Sequence, residues 1–346
     1  MSTALHLEPA TRAGLDRLIR VRPGETRLGS LVQTAATPEE MAASTALFVL
    51  TGIPEDIGVR ANYGVGGAHS AWEPALEALL NIQSTSRLTG AELLVWGAFD
   101  FSEWMQASET ADATMLRELT GRMDTFIYPV IEQIIAAGKI PVIIGGGHNN
   151  AYPLIKGAAR AKGRAISAIN LDAHSDYRPA EGRHSGNGFR YAKEEGLLKK
   201  YAIVGLHENY NSQAVIDDMA QDPDIQYAFF EDLFLRGQQA FREAVTAAIC
   251  HTAGQPCGIE LDMDAITGVL SSAMTPSGIT PLQARQYLTW CAAHTDAAYL
   301  HIAEGAATLR DGRTDATTGK LIAYLVSDFM KATIEKQRTA RTGTPV

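Results

Sequence analysis

Cysteine is scarce in this chain: three residues in 346, Cys250, Cys257 and Cys291, at spacings that match no zinc-binding pattern. Such usage argues against a disulfide-stapled secreted scaffold and fits a reducing compartment. Long apolar runs are also missing. No stretch reaches the roughly 18 consecutive apolar residues of a membrane span. The opening MSTALHLEPATRAG has no apolar segment of the secretory-leader kind. A cytoplasmic protein with no membrane partner is therefore expected. Positive charge is in deficit as well: 30 Lys and Arg against 39 Asp and Glu give a net charge of -9. That balance argues against nucleic acid as the main partner, although it leaves room for a local basic cleft that holds an anionic small molecule.

What is present is alternation. Short apolar or β-branched runs recur near 46–51, 92–97, 140–144, 165–171, 201–206, 225–230, 257–262 and 297–302. Between most of them lie segments with apolar residues at three- and four-residue spacing, at 110–137, 149–162, 211–221, 231–253, 280–295 and 318–337. The alternation predicts a mainly parallel sheet covered by helices, either an open doubly wound sheet or an eight-stranded barrel. Periodicity does not separate these two.

Six candidate metal ligands fall in three clusters, each directly after an apolar run: His148 in IIGGGHNN, Asp172, His174 and Asp176 in NLDAHSD, and Asp262 and Asp264 in IELDMD. A lone DxD is commonly a solvated turn, and a lone strand-end histidine is commonly structural. The specific signal is the conjunction of the three clusters, with DxHxD among them. In an extended backbone Asp172, His174 and Asp176 share parity, as do Asp262 and Asp264, so each set is predicted to point one way. Carboxyl ends of strands are where α/β proteins assemble sites. Four carboxylates and two imidazoles suit two Mn²⁺ ions, with Ni²⁺, Zn²⁺ or Co²⁺ as alternatives, and four Asp charges balance two divalent cations. Without cations, such a cluster pays for mutual repulsion.

Taken together, GGGH, then NxDAHxD, then DxD resembles the ureohydrolase superfamily of arginase, agmatinase and formimidoylglutamase, and is most similar to the formimidoylglutamase branch. The resemblance extends from GIPEDIGVRANYGVGGAHSAWEPAL (52–76) to AYLHIAEGA (298–306). It implies an open α/β/α sandwich on a mainly parallel sheet of about eight strands. It further implies a single catalytic domain over 41–338, preceded by an irregular segment at 1–40 and followed by a frayed tail at 339–346. A homo-oligomer, trimer or hexamer, is implied too. His148 and Asp176 would hold one manganese and His174 and Asp264 the other, with Asp172 and Asp262 bridging. A hydroxide between the ions would attack a linear C=N carbon.

The same resemblance assigns Glu304 to the cationic amidine or guanidine group of the substrate. Arg178, two residues beyond Asp176, suits a carboxylate fork and points to an acidic formimidoyl or guanidino compound, N-formimidoyl-L-glutamate above all. Arginine, agmatine and guanidino acids are the alternative substrates, and a metal-binding scaffold without catalysis is the alternative class. GRHSGNGF (182–189) is similar to the family's HSGTPF-type stretch. Within it, His184 is a candidate general acid, and Ser185 and Asn187 are candidates for substrate contact. The family's DxDxxDP is shortened here to DMDAITGV, and Glu260, His207 and Glu208 receive no role from the sequence.

Overall fold

The computed structural model describes residues 6–342. In chain order, the strands among the described residues are β1 (Leu7–Pro9), β2 (Gln33–Thr34), β3 (Phe48–Gly52), β4 (Leu93–Phe99), β5 (Ile140–Ile144), β6 (Ile166–Leu171), β7 (Leu198–Leu206), β8 (Ile225–Phe229), β9 (Pro256–Asp262) and β10 (Asp296–Ala303). The eight apolar runs are thus β3 to β10. All lie in one sheet, ordered β1, β4, β3, β5, β10, β9, β6, β7, β8, with β2 also paired to β4. Every pairing is parallel except that of β1 with β4. The order ends on two separate edges, so the sheet is open and is not a barrel.

Side-chain alternation builds the layers. Phe48 and Leu50 of β3, with Leu93 and Val95 of β4, enter one apolar core, whereas Val49, Leu94 and Trp96 enter the other. Helices Trp72–Leu80, Phe241–Thr252, Pro281–His294 and Thr318–Thr342 cover the first core. Ala113–Ala136, Ala151–Lys162, Gly188–Glu194 and Gln213–Gln221 cover the second. Because both faces are buried, the strands read as nearly continuous apolar runs, as parallel sheets do. The result is the expected α/β/α sandwich. The helical pattern at 231–253 is interrupted, giving Phe230–Phe234 and Phe241–Thr252, and Gly237 sits between them at φ 62°.

Of the segment expected to be irregular, residues 1–5 lie outside the described residues, and 6–40 contain short ordered elements. These include β1, β2 and helices Arg12–Asp16 and Pro38–Ala43, too short to show a period. Long-range bonds hold them: Ala10 N–H donates to Trp96 O at 2.8 Å, and Arg12 reaches Gly29 O at 3.0 Å. At the other end the last helix continues through 339–342, part of the expected frayed tail, while 343–346 lie outside the described residues. No helix among the described residues is long and apolar enough to cross a membrane.

Candidate metal centre

Four neighbouring strands, β5, β10, β9 and β6, end on one side of the sheet and deliver the candidate residues together. His148 follows β5, Asp172, His174 and Asp176 follow β6, Asp262 ends β9, and Glu304 follows β10. Convergence does not come from strand alternation, as parity predicts. β6 stops at Leu171, and Asp176 turns back at φ 44°. Asp262 accepts from Asp264 N–H at 2.8 Å and caps the 3-10 turn Met263–Ala265, which sets the direction of Asp264. Glu304 also lies in the left-handed region, at φ 63°. Strain at two non-glycine residues, worth about 1–3 kcal/mol each, thus falls on two carboxylates of the site.

The turn out of β5 explains the glycine run. Gly145 and Gly146 take φ 90° and 75°, and a Cβ on Gly146 would lie 2.2 Å from Asn150 Nδ2. Glu55, to which the sequence reading gives no role, organises this turn. Its Oε1 accepts from Gly147 N–H at 2.9 Å and Asn150 Nδ2 at 2.8 Å, and its Oε2 accepts from Ile57 N–H at 2.7 Å.

Around His148 the geometry is that of ligands about one cation. Its Nδ1 lies 3.2 Å from Asp172 Oδ2, 2.8 Å from Asp176 Oδ2 and 3.2 Å from Asp262 Oδ2. A second group joins it through Asp172: His174 Nδ1 lies 3.6 Å from Asp172 Oδ1 and 3.1 Å from Asp264 Oδ2. Within each group the candidate ligand atoms all lie within 4.8 Å of one another. Asp172 therefore offers one oxygen to each group, while Asp262 belongs to the first. A test of fit comes from buried polar atoms. Both ring nitrogens of His148 and Oδ1 of Asp264 are buried without a hydrogen-bond partner, which native proteins rarely tolerate unless an ion or water satisfies the atom.

Electrostatics point the same way. Burial, reinforced by Asp172, pushes Asp176 up to about 6. Burial with Asp264 and Asp172 raises Asp262 well above the carboxylate range. Burial, with Asp264 and Asp176 nearby, takes Glu304 up to about 8. Asp172 moves the other way: burial opposes its charge, but the imidazoles of His148 and His174 beside it hold it low. Crowded carboxylates of this kind favour uptake of protons or cations, and two divalent cations match four aspartates in charge.

Behind His148 stands a buried polar row set by register. Glu260 of β9 pairs with Asn170 of β6 and His301 of β10. Glu260 Oε2 lies 2.7 Å from His301 Nδ1 and 3.4 Å from His148 Nε2, and Oε1 accepts from Tyr299 O–H at 2.6 Å. Asn170 Nδ2 donates to Asp172 Oδ2 at 2.8 Å. A carboxylate behind a ligating histidine fixes its tautomer and orientation, a role for Glu260 that the sequence leaves open.

A cavity of about 520 Å³ opens over the centre. His174, Asp176, Asp262, Asp264 and Glu304 line it, together with Asn62, Arg178, Glu181, Ser185 and Tyr210. Arg178 and Ser185, expected to contact substrate, line this cavity. His184 and Asn187 do not. The His184 ring is buried, its Nδ1 accepting from Gly186 N–H at 3.1 Å and its Nε2 lying 3.3 Å from Glu181 Oε1. Burial, Arg178 and Arg117 push His184 down to about 4, and its ring nitrogens face Gly186 N–H and Glu181 within the loop rather than the cavity. Asn187 is spent within the same loop, accepting from His184 N–H and Arg183 and donating to Gly182 O at 2.8 Å. In GLHENYN the cavity residues are Tyr210 and Asn211, and the Tyr210 ring stacks on those of His174 and His207 at 5.3 and 5.2 Å. His207 is buried against Phe230, and Glu208 pairs with Arg236.

An open α/β/α sandwich with two overlapping Asp/His cradles at parallel strand ends defines the class of binuclear metal-binding α/β proteins. The sequence model of the arginase family matches residues 47–330, and the chain belongs to that family. It is 27% identical over 320 residues to the formimidoylglutamase of Geobacillus kaustophilus (strain HTA426), covering 90% of each chain. Formimidoylglutamase from Bacillus subtilis subsp. subtilis str. 168 has a similar structure, with a TM-score of 0.71 and 20% identity over 91% of this chain and 94% of that one. Trypanosoma cruzi formiminoglutamase with Mn²⁺ gives 0.68 and 20% identity over 89% and 98%. These structural likenesses are evidence of shared fold.

Proposed function

We propose that this protein is a manganese-dependent binuclear hydrolase of linear C=N bonds, converting N-formimidoyl-L-glutamate and water to L-glutamate and formamide. One observation carries the reading: four adjacent strand ends bring two sharing Asp/His groups and Glu304 to the floor of a single cavity. Similarity to a formimidoylglutamase over 90% of both chains supports the substrate, and Mn²⁺ in a structural relative supports the metal.

His148, Asp172, Asp176 and Asp262 would hold one ion, and Asp172, His174 and Asp264 the other. Two such ions lower the pKa of water toward neutrality and polarise the carbon it attacks. The chain's own residues select and orient the substrate. Glu304, buried and carboxylate-bearing at the cavity floor, pairs with the cationic amidine. Arg178, half-exposed on the wall, takes a substrate carboxylate and leaves the C=N carbon over the floor. Tyr210 supplies a flat wall of the same cavity and buttresses the His174 ring. Unpaired, scattered cysteines support a cytoplasmic enzyme, and the ureohydrolase resemblance supports a homo-oligomer, trimer or hexamer.

The test is product release by the Mn²⁺-loaded protein from formimidoylglutamate, arginine, agmatine and guanidino acids, with Asp172→Ala and Asp264→Ala as controls. Glutamate and formamide that vanish in the controls support the reading. Urea from another substrate moves the protein to a different branch of the family, and bound metal with no product from any of them counts against catalysis on this substrate class.

A further inference from the structure

Arg178 is not a free guanidinium. Its Nη1 donates to Asn62 Oδ1 at 2.8 Å and its Nη2 to Glu181 Oε1 at 2.8 Å, so both terminal nitrogens already have partners. Glu181 lines the same cavity and keeps 40% of its side chain exposed. The contact it makes with Arg178 is the contact a substrate carboxylate would make.

Glu181 also has other holders. The same Oε1 lies 3.4 Å from Arg117 Nη2 and 3.3 Å from His184 Nε2, and Arg117 Nη1 donates to the Glu181 carbonyl at 3.0 Å. Arg117 does not line the cavity. Glu181 therefore shares its carboxylate between Arg178 on the wall and Arg117 outside it, and keeps charged and hydrogen-bonding partners if Arg178 is taken from it. Asn62, the other partner of Arg178, is neutral, and its Nδ2 lies 3.4 Å from Ser185 Oγ.

We propose that Glu181 is a specificity-determining residue, an internal carboxylate that occupies Arg178 and yields it to a substrate carboxylate. A fork–fork pair needs two parallel N–H donors on one edge of the guanidinium. An acidic ligand that takes the Nη edge competes with Asn62 and Glu181, and a displaced Glu181 keeps Arg117 and His184. A neutral tail offers no anion to exchange for Glu181, so the pair stays closed against it. Glu181 thus tunes the affinity for acidic ligands by setting what they must displace. This inference rests on the acidic-substrate reading of the same cavity.

The experiment is calorimetric binding of glutarate to the Mn²⁺-loaded protein, which needs no turnover. It compares wild type, Glu181→Gln, Glu181→Asp, Arg178→Ala and the Arg178→Ala/Glu181→Gln double variant, each checked for its thermal unfolding midpoint. Glu181→Gln is expected to bind glutarate about twofold to fivefold more tightly, the span set by a partly exposed ion pair. Glu181→Asp, which keeps the charge, should show less gain, and the double variant should show none over Arg178→Ala. Unchanged or weaker binding by Glu181→Gln, a gain that survives without Arg178, or no glutarate binding by any variant overturns the proposal. If the exchange holds but formimidoylglutamate is not hydrolysed, the functional reading fails and Glu181 keeps its role.

Discussion

The backbone N–H of His148 donates to Glu304 Oε1 at 2.9 Å, so the carboxylate assigned to the substrate also fixes the loop that carries a metal-facing imidazole. Glu304 N–H returns a bond to Gly146 O at 3.0 Å. Glu304→Gln keeps an acceptor for His148 N–H, whereas Glu304→Ala leaves a buried donor unpaired at a cost of about 1–3 kcal/mol. The Gln variant is expected to bind Mn²⁺ as wild type does while losing roughly 100-fold or more in turnover, the scale of a lost electrostatic contact to the reacting group. The Ala variant should lose metal affinity as well. Calorimetric Mn²⁺ titration of both decides it, and equal affinities would show that the loop is held without this bond.

Metal removal should be felt as lost stability. Asp172, Asp176, Asp262 and Asp264 are all buried, and burial together with their neighbours already opposes the charge on Asp176 and Asp262. A cation that binds only the folded chain stabilises it by about 2.7 kcal/mol at 100 times its Kd. Scanning calorimetry with excess Mn²⁺ and with EDTA is expected to show a midpoint higher by a few degrees with metal. In Asp264→Ala the difference should shrink. Identical midpoints for wild type in the two conditions would contradict a structural contribution from the ions.

Glu260 links His148 to His301 and Tyr299 from beneath, so its charge should matter to the metal without touching it. Glu260→Gln preserves shape and removes the charge that orients the His148 ring. The loss of such a partner typically costs 10- to 100-fold in metal affinity or activity, and about that loss of Mn²⁺ affinity is expected in competition with a chromophoric chelator. His301→Asn should weaken binding less, because Glu260 would keep Tyr299. An affinity unchanged in Glu260→Gln would leave the row a purely structural device.

Much of this was legible in the sequence because parallel strands buried on both faces are continuous apolar runs, and ligands at their ends stand out as polar breaks. That is why β3 to β10, the six candidate ligands, Arg178 and Glu304 could all be named. Residues acting through the backbone or through register were not legible. Glu55 meets Gly147 across 92 residues, and Glu260 meets His301 only because β9 and β10 pair in that register. His184 misled for a related reason: its residue type suits acid catalysis, but a cap to Gly186 N–H turns its ring into the loop. Parity, too, does not aim these aspartates, since Asp176 and Asp264 are directed by turns.

Asp56 offers a pH test away from the metals. Its buried carboxylate lies 2.8 Å from Arg60 Nε, 3.1 Å from Arg310 Nε and 3.1 Å from His69 Nδ1, joining the segment after β3 to the loop after β10. Burial disfavours its charge, but His69 and the two guanidinium groups outweigh that and hold it well below the usual carboxylate range. A carboxyl depressed in the folded state binds fewer protons there than in the unfolded chain. Its stabilisation is therefore complete above the unfolded value of about 3.9 and declines as pH falls toward the folded value. Asp56→Asn should be destabilised at pH 7 by about 3 kcal/mol or more, the scale of a broken buried pair. Urea unfolding of both proteins at pH 7, 4 and 3 is expected to show the gap between them narrowing only below about pH 4. A gap that stays constant down to pH 3 would mean that the Asp56 carboxylate acts through its shape and hydrogen bonds rather than its charge.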